Sequence, residues 1–318
     1  MKLLITGGLG YIGSHLAIEL KKNFDCEVIL LDNLSSGKQS RNILNLDFEI
    51  LDIRDQEGLN NLFQRHKFDG IFHLAASKSI EQSVDSPEIF FDNNVVATLI
   101  LLEAAKKFKV KNFIFASTCA VYGDLFVSET GVDEESEVNP TNYYGETKVI
   151  AEKLIQMYSE NFSVLIFRFF NVIGAVSPDL LDIGSGSLFG NLVSNHLNRT
   201  EFTIFGKDFE TPDGTAIRDY IDVRDIAKAL RLGLEKIAGT TLVNEVYNIG
   251  TNQGISVLEF VKCFFKELDS DPGIKFVDRR KGDVPKIFSN SLKIYRDLGF
   301  TPEFSLQKSI KDASHFKN

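Results

Sequence analysis

From residue 2 to about residue 170, short and almost wholly apolar runs alternate with longer stretches in which apolar residues recur at helical spacing. The apolar runs lie at 2–6, 27–31, 48–51, 70–75, 111–117 and 163–167, the length of strands rather than of buried helices. Runs that lack a polar face suit strands covered on both sides, as in a parallel sheet. Between them the spacing predicts helices near 12–23, 55–66, 87–109 and 142–160, each long enough to cross over and return the chain parallel to the preceding strand. The pattern therefore predicts an α/β fold built on a doubly wound parallel sheet.

After Asn171 the order loosens. Gly184-Ser185-Gly186 and Thr211-Pro212-Asp213-Gly214 punctuate the chain, helical stretches are expected near 188–198, 222–237, 256–268 and 305–316, and 245–249 reads as a strand that returns to the sheet. Residues 1–171 are accordingly expected to form the main domain and 172–318 a smaller, interleaved C-terminal lobe. The segment 202–205 is a further strand candidate. The acidic run Asp133-Glu134-Glu135 reads as a solvated loop.

The chain has 318 residues, 43% hydrophobic and 25% charged, enough to bury a sizeable core. Its formal net charge of −9 argues against nucleic acid as a partner, because such binding rests on Lys and Arg neutralising phosphates. Cys26, Cys119 and Cys263 form neither a CxxC pair nor a disulfide framework, so reduced thiols in a cytoplasmic protein are expected. The apolar start is too short for a signal peptide, and no run approaches a membrane span. His15, His66, His73, His196 and His315 show no ligand spacing, and no metal site is expected.

Thr6-Gly7-Gly8-Leu9-Gly10-Tyr11-Ile12-Gly13 follows the first strand directly and opens a helix, satisfying G-x-G-x-x-G from Gly8. That placement suits a Rossmann dinucleotide site: glycines let the backbone approach a pyrophosphate, and the helix N-terminus supplies N–H groups and a positive dipole. Asp32, at the end of the second strand, would accept from ribose hydroxyls and repel a 2′-phosphate, which favours NAD, although Lys38 and Arg41 nearby keep NADP open. Asp52-Ile53 ends the third strand and suits an adenine, or equally a helix-capping turn.

Tyr144 and Lys148 stand four residues apart at the start of a helix, which puts them on one face. A phenol is a poor base at neutral pH, but a neighbouring ammonium and a positive nicotinamide would both favour phenolate. By itself the pattern equally describes a surface tyrosine beside a solvated lysine. Thr118, at the end of the fifth strand where open α/β sheets place ligands, can hydrogen-bond a reacting oxygen. Together these groups suit removal of hydride and proton from one alcohol carbon.

The segments TGGLGYIGSH, DNLSSG, DIRD, FHLAA with Lys78, DNNV, STCAVYGD, YYGETK, RFFN, FGKDFETPDGTAIRDYIDV and RRKGDVP run in the order seen in the UDP-glucose/UDP-galactose 4-epimerase family of extended short-chain dehydrogenase/reductases, which this chain resembles from residue 4 to about 285. The resemblance implies an NAD site lined by Gly7, Gly10, Tyr11, Ile12, Asp32, Asn33, Ser36, Asp52, Ile53, Ala75, Lys78, Asn93, Tyr144 and Lys148, with Thr118, Tyr144 and Lys148 catalytic. It implies a UDP-sugar substrate touched by Lys78, Thr118, Tyr144, Asn171, Leu188, Phe205, Arg218, Arg280, Asp283 and Ile287. The two arginines suit a diphosphate; they could equally be surface residues paired with Asp219, Asp222 or Asp283. The helices near 87–109 and 142–160 resemble those that form a four-helix bundle in homodimeric relatives.

Two other functions compete with 4-epimerisation. Nucleotide-sugar dehydratases and decarboxylases need an added carboxyl acid after the Thr118 position, where this chain has Cys119 and Ala120. A non-catalytic NAD-binding regulator would not need Tyr144 or Lys148. Two positions depart from the family. Gly186-Ser187-Leu188 replaces a polar pair before leucine, and Ile287 aligns with a tyrosine that closes the sugar pocket. A smaller residue at the second position is expected to admit 2-acetamido sugars.

Overall fold

The computed structural model describes residues 1–125, 127–183, 186–270, 273–280 and 282–314. Its first half runs β1 (Lys2–Thr6), α1 (Tyr11–Asn23), β2 (Glu27–Asp32), β3 (Phe48–Ile50), α2 (Gln56–Arg65), β4 (Gly70–His73), α3 (Ile80–Asp85), α4 (Pro87–Phe91), α5 (Ala97–Lys107), β5 (Asn112–Thr118), α6 (Tyr143–Met157) and β6 (Ser163–Phe169). The second half adds β7 (Asn171–Ile173), α7 (Leu188–Asn198), β8 (Phe202–Phe205), β9 (Ile217–Arg218), β10 (Tyr220–Asp222) and α8 (Val223–Ile237). It continues through β11 (Asn244–Ile249), β12 (Ile255–Ser256), α9 (Val257–Glu267), β13 (Ile274–Val277), β14 (Lys286–Ile287), α10 (Leu292–Leu298) and α11 (Leu306–Ser314).

Seven strands form one sheet in the order β11-β6-β5-β4-β1-β2-β3, and every pairing is parallel. Alternate residues feed two cores, as the pleat requires. Leu3, Ile5, Val28, Leu30, Leu165 and Phe167 meet Leu16 and Leu20 of α1 and Leu230 and Leu234 of α8 on one face. Leu4, Ile29, Phe113, Phe115, Val164 and Ile166 meet α2, α5 and α6 through Leu59, Leu62, Leu101, Ala105, Ala151 and Ile155 on the other. With β11 in the sheet and α8 on its face, the second half of the chain completes the first core. Its own core gathers Phe189, Leu192, Phe202, Ile204, Tyr220, Phe260, Phe264 and Ile310.

Two expectations are corrected. The single helix near 87–109 is α4, one π-helical turn over Asp92–Val96, and α5. The wider turn lets the adjacent Asn93 and Asn94 both hydrogen-bond Ser77, through Asn93 Nδ2 to Ser77 Oγ at 2.9 Å and Ser77 N–H to Asn94 Oδ1 at 2.8 Å. The acidic run is not wholly solvated: Glu134 turns inward, accepts the Asn248 N–H at 2.7 Å, and its pKa is raised by burial. The short strands β7, β9, β10 and β12–β14 and the helix α10 lack a periodicity strong enough to predict them. Gly184, Ser185, Lys281 and His315, together with the end of the helix expected to 316, lie outside the described residues. No helix among the described residues is long and apolar enough to cross a membrane.

Candidate active site

The site lies at the carboxyl ends of the sheet strands. The turn after β1 requires Gly7 in the left-handed region, at φ +67°, where a Cβ would lie 2.9 Å from the Ala75 nitrogen. A Cβ on Gly13 would lie 2.3 Å from the Gly7 carbonyl oxygen, so α1 can close on the turn only as glycine. Gly10 is the N-cap of α1 and supplies no side-chain cap, whereas Asp55, Asn142, Ser187, Asp222 and Ser256 cap α2, α6, α7, α8 and α9. The first N–H groups of α1 thus suit an anion, and the donor set fits a dinucleotide pyrophosphate.

Asp32 is buried beside this turn and accepts the N–H groups of Leu9 (3.1 Å) and Leu34 (2.9 Å). Burial raises its pKa. Asn33 and Ser36 are exposed on the following loop, and Asn33 Nδ2 donates to Asp52 at 2.9 Å. Arg54 holds Asp52 through Nε (2.9 Å) and Nη2 (2.8 Å), which draws that carboxyl far below the usual range. Asp52 does not cap α2; Asp55 does. Ile53 is buried in the core beside Leu59 and Leu62, and Ile12 packs on the opposite core. Tyr11 is buried and donates to the Gly174 carbonyl at 2.5 Å. Arg41 does not stand open to a 2′-phosphate: it is 5% exposed and donates to the Leu181 carbonyl at 3.0 Å. Ala75 follows β4, and Lys78 pairs with Asp182, 104 positions further along the chain, at 3.2 Å.

Tyr144, Lys148 and Thr118 converge where α6 meets the end of β5. Tyr144 is partly buried, packs edge-on against Phe90, and has Thr118 as the polar side chain that acts on its hydroxyl. Burial pushes its pKa up to about 12, and the Thr118 side chain draws it down. Lys148 is no solvated lysine: it is 3% exposed, donates from Nζ to the Ala116 carbonyl at 2.8 Å and lies over the Phe115 ring. Burial lowers its pKa to about 7, opposed by Glu152. Cys119, next to Thr118, is a neutral thiol, its pKa raised to about 12 by burial.

Among the remaining candidates, the chain after β6 brings Arg218, Asp283 and Ile287 together, and separately Phe205 and Arg280. Arg218 in β9 pairs with Asp283 at 3.3 Å, not with Asp219 or Asp222; Asp222 is held by Arg224. Ile287 of β14 stands in register beside Arg218 and is buried with Val121, Val149 and Phe170. Arg280 stacks on the Phe205 ring at 3.9 Å, so the end of β8 lies against Arg280. Asn171 opens β7, and Leu188 opens α7 behind the Ser187 cap.

The sequence reading missed a buried polar cluster under Lys148. Glu152 accepts from Ser117 and from the Arg168 fork, and Arg168 in turn donates to Tyr122, whose hydroxyl donates to Asn248 at 2.7 Å. It also missed Asn94, which ties the Ser77 loop to Thr147 of α6 at 3.0 Å. The signals were present: Glu152 continues the four-residue step from Tyr144 and Lys148, and Arg168 interrupts an otherwise apolar strand.

Residues 3–250 match the family model described as the NAD dependent epimerase/dehydratase family. The chain is 34% identical to the UDP-glucose 4-epimerase of Bacillus subtilis over 331 aligned residues, covering 98% of this chain and 96% of that protein. The crystal structure of UDP-glucose 4-epimerase from Bifidobacterium longum in complex with NAD+ and UDP is similar with a TM-score of 0.92 at 29% identity, over 100% of this chain and 98% of that one. The UDP-Glc/GlcNAc 4-epimerase from Campylobacter jejuni is similar with a TM-score of 0.84 at 33% identity, over 99% and 98% of the two chains.

Proposed function

The chain belongs to the NAD-dependent epimerase/dehydratase family and within it to the UDP-glucose 4-epimerases, and from that premise we propose that it inverts C4 of a UDP-hexose with NAD as its bound cofactor. The observation that carries the reading is the meeting of Thr118, Tyr144 and a buried Lys148 at the end of β5. Bound NAD would supply the acceptor and donor of the C4 hydride, so that the sugar passes through a 4-keto form. Gly7, Gly10, Tyr11, Ile12, Asp32, Asn33, Ser36, Asp52, Ile53, Ala75, Lys78 and Asn93 are the residues we assign to holding it. Tyr144 takes the 4-hydroxyl proton and gives it back, Thr118 holds the reacting oxygen, and the Lys148 ammonium lowers the cost of the phenolate. Turning the ketose over requires a loosely held hexose and a firmly held nucleotide. We assign the anchor to Asn171, Leu188, Phe205, Arg218, Arg280 and Asp283, whose arginines offer planar forks to the diphosphate.

The neutral Cys119 and the apolar Ala120 leave no acid in the position a dehydratase or decarboxylase needs, and the intact Tyr144–Lys148 pair speaks against a non-catalytic regulator. Ile287 beside Arg218 supports acceptance of 2-acetamido sugars, the class named for the Campylobacter jejuni relative. Exposed Tyr143, Ile150 and Met157, seven residues apart on α6, and exposed Ile89 and Leu99 along α4 and α5 support a homodimer through these helices. Three free cysteines support a cytoplasmic setting.

Purified protein is to be incubated with UDP-galactose and with UDP-N-acetylgalactosamine, the 4-epimers being separated by anion-exchange chromatography. Conversion that falls by roughly 10²- to 10⁴-fold in Tyr144→Phe is expected. Conversion of neither sugar by NAD-loaded protein would overturn the reading, and turnover of hexoses alone would overturn the assignment of Ile287.

A further inference from the structure

Tyr144, Lys148 and Glu152 succeed one another at four-residue steps along α6 and meet three consecutive residues of β5. Tyr144 has Thr118 beside its hydroxyl, Lys148 Nζ donates to the Ala116 carbonyl at 2.8 Å, and the Ser117 hydroxyl donates to Glu152. From the neighbouring strand, Arg168 closes the carboxylate with Nε at 3.1 Å and Nη2 at 2.7 Å. Lys148, Ser117, Glu152 and Arg168 are all buried. Burying so many charges costs stability that apolar residues of equal volume would not, so their placement directly under the reacting groups calls for a use.

We propose that Glu152 is a positioning residue for the epimerisation: its carboxylate fixes the β5 backbone that presents Thr118 and the Ala116 carbonyl, and its charge keeps the Lys148 ammonium protonated beside Tyr144. The proposal rests on Tyr144 being the base, as assigned above. Lys148 is faced by Tyr144 and Glu152 on its own helix, by His73 from β4 and, through Glu152, by Arg168 from β6. His73 is neutral, pushed down to about 3 by burial, and bridges Thr6 and Thr98, so it supplies no counter-charge. Arg168 spends its fork on Glu152 and its remaining nitrogen on Tyr122 at 3.0 Å. Glu152 is therefore the carboxylate that opposes the desolvation of Lys148, and a cationic nicotinamide arriving at the same place makes that opposition more necessary.

The test uses the NAD-loaded enzyme and three variants, Glu152→Gln, Arg168→Met and the double variant. Ionisation of Tyr144 is read as the phenolate ultraviolet difference between each protein and the same protein carrying Tyr144→Phe, alongside the acidic limb of the kcat–pH profile. Glu152→Gln is expected to move both upward by about one pH unit, lowering kcat about tenfold below the limb. The double variant, which no longer leaves the Arg168 guanidinium buried without its carboxylate, is expected to regain thermal stability relative to Glu152→Gln and to keep the displaced limb. A double variant whose limb returns to the wild-type position would overturn the proposal, because Glu152 would then serve only Arg168. A folded Glu152→Gln with an unmoved limb would do the same. Undiminished turnover by Tyr144→Phe alone would instead remove the base itself, a failure of the functional reading seen without any change at Glu152.

Discussion

Asp219 offers a sharp test of how the segments after β9 are held in place. The residue sits between β9 and β10, is 0% exposed, and has no cation for a partner among the described residues. Its Oδ1 accepts the N–H and hydroxyl of Thr251 at 2.8 and 2.5 Å; its Oδ2 accepts the N–H of Asn252 at 3.1 Å and the N–H and hydroxyl of Ser289 at 3.1 and 2.6 Å. One carboxylate thus knots three segments next to Arg218. In Asp219→Ala the two hydroxyls can turn to other acceptors and the Asn252 N–H keeps Ser289 Oγ at 3.1 Å, but the N–H groups of Thr251 and Ser289 lose theirs. At roughly 1–3 kcal/mol for each of these two unsatisfied groups, less the recovered desolvation of a carboxylate whose pKa is already raised by burial, the loss should be roughly 2–4 kcal/mol. Asp219→Asn keeps one acceptor oxygen, which can serve the Oδ2 side; its amide then faces the Thr251 N–H, and the loss should be roughly 1–3 kcal/mol. Urea unfolding followed by far-ultraviolet circular dichroism measures both variants, and UDP affinity should weaken in the same order as Arg218 loosens. An alanine variant within about 1 kcal/mol of wild type, or an asparagine variant worse than alanine, would refute this account.

Three further outcomes are expected. Arg218→Lys should raise the Kd for UDP roughly 10- to 100-fold by calorimetry while leaving kcat nearly unchanged, because it removes a planar fork from the anchor and nothing from the reacting carbon. Gly13→Ala should be purified without NAD, as read by absorbance after acid release, because its Cβ would meet the Gly7 carbonyl at 2.3 Å; NAD content equal to wild type would show that α1 can shift. Asp225 is buried, accepts the N–H groups of Glu303 and Phe304, and has its pKa raised from 3.8 to about 6, chiefly by burial. The folded state binds that proton more tightly than the unfolded chain, so this group's contribution to stability falls as pH rises from about 4 through about 6, by roughly 3 kcal/mol. Asp225→Asn should lack that slope, and unfolding free energies of the two proteins that run parallel across this interval would contradict it.

The alternation of apolar runs was enough to find β1, β2, β4, β5, β6 and most of the helices, because strand and helix period are properties of neighbouring residues and survive any packing. The glycine turn and the Tyr144–Lys148 step were legible for the same reason: each is a local geometry written within eight positions. Strand ends moved by a residue or two, because they depend on the partner; β2 takes in Asp32 since Asp32 pairs with Ile50. What periodicity could not supply are contacts made between distant segments. Tyr122 and Asn248 meet across 126 positions, Arg280 finds Phe205, Arg218 chooses Asp283 over the nearer Asp219, and Asp219 gathers Thr251 and Ser289. Each of these is a polar or charged group with several possible partners along the chain, and which one it takes is settled by which backbone segments the packed sheet brings within hydrogen-bond range. A buried ionisable group is worth its desolvation only in that one arrangement, so its role becomes readable once the whole core has closed around it.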